Sequence, residues 1–228
     1  MDQTDALTLK VDLEMTNLQT QPAANADPRE PSDQSSANET GSLYIRWGSR
    51  QCPDTAEVVY TGYVGGSHFY NDGGGSNYLC LPQDPDLIMA SPGIQSTRAR
   101  IDTVEYYTDD FDPLSSRHHQ DAACAVCQTK NRSMMLMIPA KLTCPIGWIR
   151  EYFGYIMSSM FTSKRSEFIC VDKSLASAAE REEEYDGGGA IYLVEARCLD
   201  PRPENNYGAL PCDQYPDGTE LVCVVCTK

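Results

Sequence analysis

The 228-residue chain predicts a mainly β fold of two tandem, disulfide-stapled units, and three observations carry that expectation. Thirteen Tyr against five Phe, with sixteen Gly and fourteen Pro, favour strands and turns over helices. Ten cysteines form an even set, the mark of a disulfide framework made in an oxidising compartment. The third observation is a stretch written twice: CPDTAEVVYTGYVGGSHFYNDGGGSNYLC over residues 52–80 returns as CPIGWIREYFGYIMSSMFTSKRSEFIC over 144–170.

Each copy opens on Cys-Pro and carries Tyr60 or Tyr152 two residues before a Gly-Tyr, at Gly62-Tyr63 and Gly154-Tyr155. Each closes on Ser, any residue, aromatic, aliphatic, Cys, aliphatic, at 76–81 and 166–171. Downstream, each unit ends in Cys-x-x-Cys followed by Thr and Lys, CAVCQTK at 124–130 and CVVCTK at 223–228. Two copies read as a duplication, since a solenoid needs three or more. Cys52, Cys80, Cys124 and Cys127 fall in the first unit; Cys144, Cys170, Cys223 and Cys226 fall in the second, with Cys198 and Cys212 added inside it. The shared glycine is expected where two backbones approach closely.

Charge narrows the partners. With 18 Lys and Arg against 33 Asp and Glu, the chain carries a formal charge of -15, which repels phosphate backbones and argues against nucleic acid. No stretch is long and apolar enough for a membrane span. The opening MDQTDALTLK has neither the basic start nor the apolar core of a secretion signal, so the sequence reads as a mature chain or fragment of an extracellular protein. Sequons at Asn38 and Asn131 suit secretion and mark glycosylation candidates.

Four segments follow in order. Residues 1–20 read as a short oligomerisation segment. Alternation of Leu7, Leu9, Val11, Leu13 and Met15 with polar residues suits a strand, whereas Leu7, Val11, Met15 and Leu18 suit a helical seam between chains. Residues 21–42 are a disordered linker, poor in large apolar side chains. Residues 43–130 form the first β-rich unit and 131–228 the second. Strands are expected at 43–47, 57–63, 77–81 and 100–108, through CAVC and SMMLMIP, and through GWIREYFGYIM, FICV, AIYLVEAR and ELVCVVC. Glycine runs at 65–66 and 73–75 mark loops, 180–189 is a charged excursion, and 174–184 is a second amphipathic stretch.

Several chemistries are open to these residues, and each meets a plainer reading. The Cys-x-x-Cys pairs lie in apolar strand-like runs, not at a helix start where a redox thiol is activated. Their separation is also long for a zinc ribbon. His68, His118 and His119 are the only histidines, and Ser115, Ser116 and His118 read as a polar loop, not a hydrolytic triad. Asp109, Asp110 and Asp112 are the best calcium candidate, supplying half the oxygens that ion wants, and read as a solvated acidic turn before Pro113. Tyr60, Tyr63, Phe69, Tyr70, Tyr152 and Tyr155 could make a carbohydrate platform, although recurrence in both units points to packing. The expectation is a protein without cofactor or catalytic metal, and not an enzyme.

The run CAVCQTKNRSMMLMIPAKLTCPIGWIREYFGYIM resembles the non-collagenous C-terminal domain of type IV collagen, itself a tandem duplication. It is more similar to secreted invertebrate proteins related to sponge short-chain collagens. IRWG, GYxGGSH, NYLCLP, CAVC, CPxGWxREYxGY, VEAxC and CVVCTK occur here in that order between 45 and 228. There is no Gly-X-Y repeat, so this chain cannot itself form a collagen triple helix. The cysteines alone allow many pairings. The resemblance implies Cys52 with Cys127, Cys80 with Cys124, Cys144 with Cys226, Cys170 with Cys223, and Cys198 with Cys212. It further implies an extracellular structural or matrix-type module that assembles into homo-oligomers, trimers above all. The alternative is a lectin-like recognition protein that binds glycans, assisted by calcium.

Overall fold

A computed structural model of the chain describes residues 40–86, 96–178, 187–198 and 210–228. The N-terminal segment over 5–19, the linker up to residue 39, Asn38 and the acidic run 180–186 lie outside the described residues. Of the amphipathic stretch 174–184, the described part, 174–178, is turn and bridge and not helix.

Among the described residues ten strands form one sheet: β1 Leu43–Trp47, β2 Ala56–Gly66, β3 Leu79–Pro82, β4 Asp102–Tyr107, β5 Ala123–Thr129, β6 Met135–Pro139, β7 Ile149–Ser158, β8 Ile169–Asp172, β9 Gly189–Leu193 and β10 Val222–Thr227. A 3-10 turn among the described residues, Asp112–Arg117, interrupts them, with Pro113 in its first turn, where a missing N–H costs nothing. The order is β6-β10-β7-β8-β1-β5-β2-β4-β9, with β3 on β2. Because β9 also pairs with β7, the path through β7, β8, β1, β5, β2, β4 and β9 returns on itself. A sheet that closes in this way leaves few edges to protect.

The long strands β2 and β7 do the joining. The first part of β2 pairs with β5, its middle with β3 and its end with β4. The first part of β7 pairs with β10, its second half with β8 and its end with β9. The change of partner happens at Gly62 and Gly154, where a Cβ would collide with the carbonyl oxygens of Leu81 and Val171. The expected close backbone approach is therefore real, and a side chain there would push the neighbouring strand away. Each long strand also bulges, β2 at Val59 and β7 at Glu151.

β5 and β10, like the short β8, are deeply buried: only Gln128 of β5 is exposed and Val222 of β10 half-buried. Their near-continuous apolar sequences, ACAVC and VCVVC, suit strands covered on both faces. Two apolar clusters surround them. One joins Trp47, Val64, Tyr106 and Cys124 to Met157, Ile169 and Ile191; the other joins Tyr44 and Cys127 to Tyr152, Ile156 and Val225. Both clusters draw on side chains from either side of residue 130, so neither half of the sequence owns a core.

Five disulfides staple the sheet: Cys52–Cys127, Cys80–Cys124, Cys144–Cys226, Cys170–Cys223 and Cys198–Cys212. Cys124 and Cys127 of β5, and Cys223 and Cys226 of β10, thus clamp the beginning and the later part of their neighbouring segments, and no described cysteine is free.

Candidate functional site

Three features stand out: a buried polar knot, an ion pair between β1 and β8, and an open cleft. The knot forms at the bulge of β7. Glu151 is fully covered, yet its Oε1 accepts from the guanidinium of Arg132 at 3.0 Å and from the hydroxyl of Thr227. Its Oε2 accepts from Tyr44 Oη at 3.0 Å and from Thr55 Oγ1 at 2.6 Å. Arg132 also donates to Thr227 Oγ1 and to the Thr55 carbonyl. Every lone pair of this buried carboxylate has a donor, the condition under which burying a charge is tolerated. Arg132 is held just after β5, beside Asn131, whose positive φ of 55° turns the chain.

The ion pair joins distant segments. Arg46 of β1 donates through Nε and Nη2 to Oδ2 of Asp172 on β8, at 3.0 and 2.7 Å. Asp172 Oδ1 takes the backbone N–H and the hydroxyl of Ser174. Beside them the only direct pairing of β1 with β8 is Trp47 with Val171, in parallel. Polar bonds thus carry much of that junction.

The cleft, about 740 Å³, lies along Val194–Arg197 at the end of β9. Exposed Phe161 and Phe168 line it together with the carboxylates of Asp109, Asp110, Glu195 and Glu220. Val194 and Ala196 exchange backbone bonds with Gly218, Thr219 and Leu221, the Val194 N–H donates to the Ile156 carbonyl, and the Arg197 carbonyl accepts from the Leu210 N–H.

The residues singled out from sequence are scattered. Asp109 and Asp110 reach the cleft while Asp112 opens the 3-10 turn, and among the described residues no three His, Cys, Asp or Glu gather as a metal site. His118 Nδ1 accepts the Thr108 N–H at 3.2 Å, and His119 Nδ1 lies 3.2 Å from Glu105 Oε2. Ser115 Oγ–H instead donates to the Asp112 carbonyl, so no Ser–His pair forms in this run. The six aromatic residues share no surface: Tyr152 is buried and hydrogen-bonded to the Ile45 and Cys170 carbonyls, while Phe69 and exposed Tyr70 stack with His68. Asn131 is exposed. Sequence reasoning missed Glu151, Arg132 and the Arg46–Asp172 pair. The one available signal was a lone acid within an apolar-aromatic strand, REYFGY.

Burial holds the phenols of Tyr106 and Tyr152 well above their usual range. Tyr44 is raised by burial and by the neighbouring Glu151 carboxylate. Burial pushes Tyr78 up to about 12, against a hydrogen bond with Ser166 that pulls the other way. Each folded value lies above the unfolded one near 10, so the stability these groups hold is intact below about pH 10 and is lost as pH climbs through the folded values. An alkaline absorbance titration is expected to show these four ionising together with loss of the near-ultraviolet dichroism. A single uncooperative wave covering all the tyrosines would count against it.

Among the described residues no helix is long and apolar enough to cross a membrane. No protein-family model matches the chain.

Proposed function

We propose that this is a secreted, non-catalytic extracellular module, built from two copies of one β unit, that assembles into homo-oligomers. The observation that carries the reading is a register-for-register match between the two halves. Gly62 pairs with Cys124 and Pro82, as Gly154 pairs with Cys223 and Asp172. Tyr44 faces Cys127 as Leu136 faces Cys226. The bulges fall at the same place, Val59 and Glu151. Even the isolated bridges correspond, Glu105 with Asp121 and Glu195 with Glu220. Sheets with this many coincident pairings are what a duplicated unit leaves behind, and they support the resemblance to the type IV collagen C-terminal domain. Trimers are the order that this resemblance favours.

Five disulfides suit an oxidising, extracellular setting. In this reading residues 1–20 act as a stem, and joining several rigid modules raises their apparent affinity for matrix or glycan partners through effective concentration. Sedimentation equilibrium on the full chain is expected to give a small closed oligomer, and deleting residues 1–20 is expected to weaken association. A full chain that stays monomeric at every concentration overturns the reading.

A further inference from the structure

We propose that the end of the sheet formed by β6, β10 and the start of β7 docks on bilayers that expose anionic headgroups. Ile146 enters the apolar boundary of the bilayer, and Lys141, Arg150 and Lys173 meet its phosphates. This contact goes beyond the assembly reading and does not depend on it.

Charge singles out this end of the molecule. The chain carries a formal charge of -15, yet no Asp or Glu occurs from Ala122 to Arg150, nor from Leu221 to Lys228. Those two segments supply β6, β10 and the excursion that leads into β7. The acids that adjoin them, Glu151 and Asp172, are buried and already paired with Arg132 and Arg46. Arg150 and Lys173 instead crowd one ring, each 4.8 Å from the centre of Phe153. Neither they nor Lys141 has an acidic partner among the described residues. Unpaired cations gathered in so acidic a protein are placed for an anionic surface.

The apolar part is a rigid tip. Trp148 N–H donates to the Pro145 carbonyl, and Gly147 takes the positive φ of 81° that a type II turn needs at its third residue. Ile146, the second residue of that turn, is fully exposed. Two links keep the turn from swinging away. Cys144 is bonded to Cys226 of β10, and Arg150 Nη1 donates to the Leu142 carbonyl at 3.1 Å, closing the excursion on itself. Leu142 is exposed within it, and exposed Leu136 faces Cys226 and, beyond it, Arg150 across the sheet.

The fold itself does not ask for this isoleucine. The first unit makes the corresponding turn, with Ala56 N–H on the Pro53 carbonyl and Cys52 bonded to Cys127, and there the exposed tip residue is Asp54. An aliphatic side chain held out on a disulfide-anchored tip, beside unpaired cations, meets both requirements of an interfacial anchor. A soluble polyanion would meet the cations but leave Ile146 and Leu142 in water.

The test is co-sedimentation of the full chain with vesicles of pure phosphatidylcholine and with vesicles in which about a quarter of the lipid is phosphatidylserine. The wild type is expected to partition onto the mixed vesicles alone, and less as salt rises. Ile146→Asp, which installs the residue type that the first unit carries in its own turn, is expected to lower the partition coefficient about tenfold or more. Lys141→Glu combined with Lys173→Glu is expected to do the same, and Tyr70→Asp, at an exposed aromatic outside this face, to change nothing. Near-ultraviolet dichroism and the absence of free thiols check that each variant is folded. A wild type that ignores both vesicles, or binds them equally, overturns the proposal. Loss in the charge variant with none in Ile146→Asp reduces the contact to a polyanion site and overturns the insertion. Equal loss in Tyr70→Asp overturns the assignment to this face.

Discussion

Replacing Glu151 by alanine is expected to cost about 3–5 kcal/mol of folding stability, the range for removing one partner of a buried ion pair. Removing the carboxylate leaves the Arg132 guanidinium, only 15 % exposed, without its counter-charge. It also strands the buried hydroxyls of Tyr44 and Thr227, each of which donates to Glu151. A buried donor left without an acceptor forfeits its hydration as well as its bond. Glu151→Gln keeps the shape and one acceptor oxygen, and should recover part of the loss but not the charge. Urea unfolding of the three proteins, under conditions that preserve the disulfides, measures the difference. A shift below about 1 kcal/mol for the alanine variant would mean that the knot opens without penalty.

Replacing both Cys80 and Cys124 by alanine is expected to cost about 4 kcal/mol. The two are separated by 44 residues, and opening that loop returns chain entropy to the unfolded state. Both side chains are also buried in the first apolar cluster, so the substitution removes packing in addition to the link. Stabilities of whole domains fall at about 5–15 kcal/mol, so this one bond separates a robust fold from a marginal one. Replacing Cys198 and Cys212, only 14 residues apart, should cost less, about 3 kcal/mol, since the smaller loop releases less entropy. Denaturant midpoints of the two double variants set the order. An equal or reversed order would show that native-state packing, and not loop length, governs these staples.

Much of the frame can be read from the chain alone. Period-two and continuous apolar runs place β1, β2, β5, β7 and β10 close to where they lie, because strand formation responds to local side-chain alternation and branching. The paired Gly-Tyr marks the two places where the long strands change partner, since only a residue without Cβ leaves room for the carbonyl of Leu81 or Val171. The cysteine pattern identifies a disulfide framework, although the partners follow from resemblance and not from spacing.

Tertiary structure decided what no local pattern carries. Glu151 reads as an outward polar residue of a strand, and only the bulge of β7, together with Arg132 and Thr227 from distant segments, turns it inward. Arg46 and Asp172 are 126 residues apart, and nothing near either one announces the other. The shared cores, the return of β9 to β7, and the cleft along Val194–Arg197 likewise depend on how segments distant in the sequence meet. Local sequence sets the conformation of a strand, whereas the burial of a charge is set by whatever the fold brings against it.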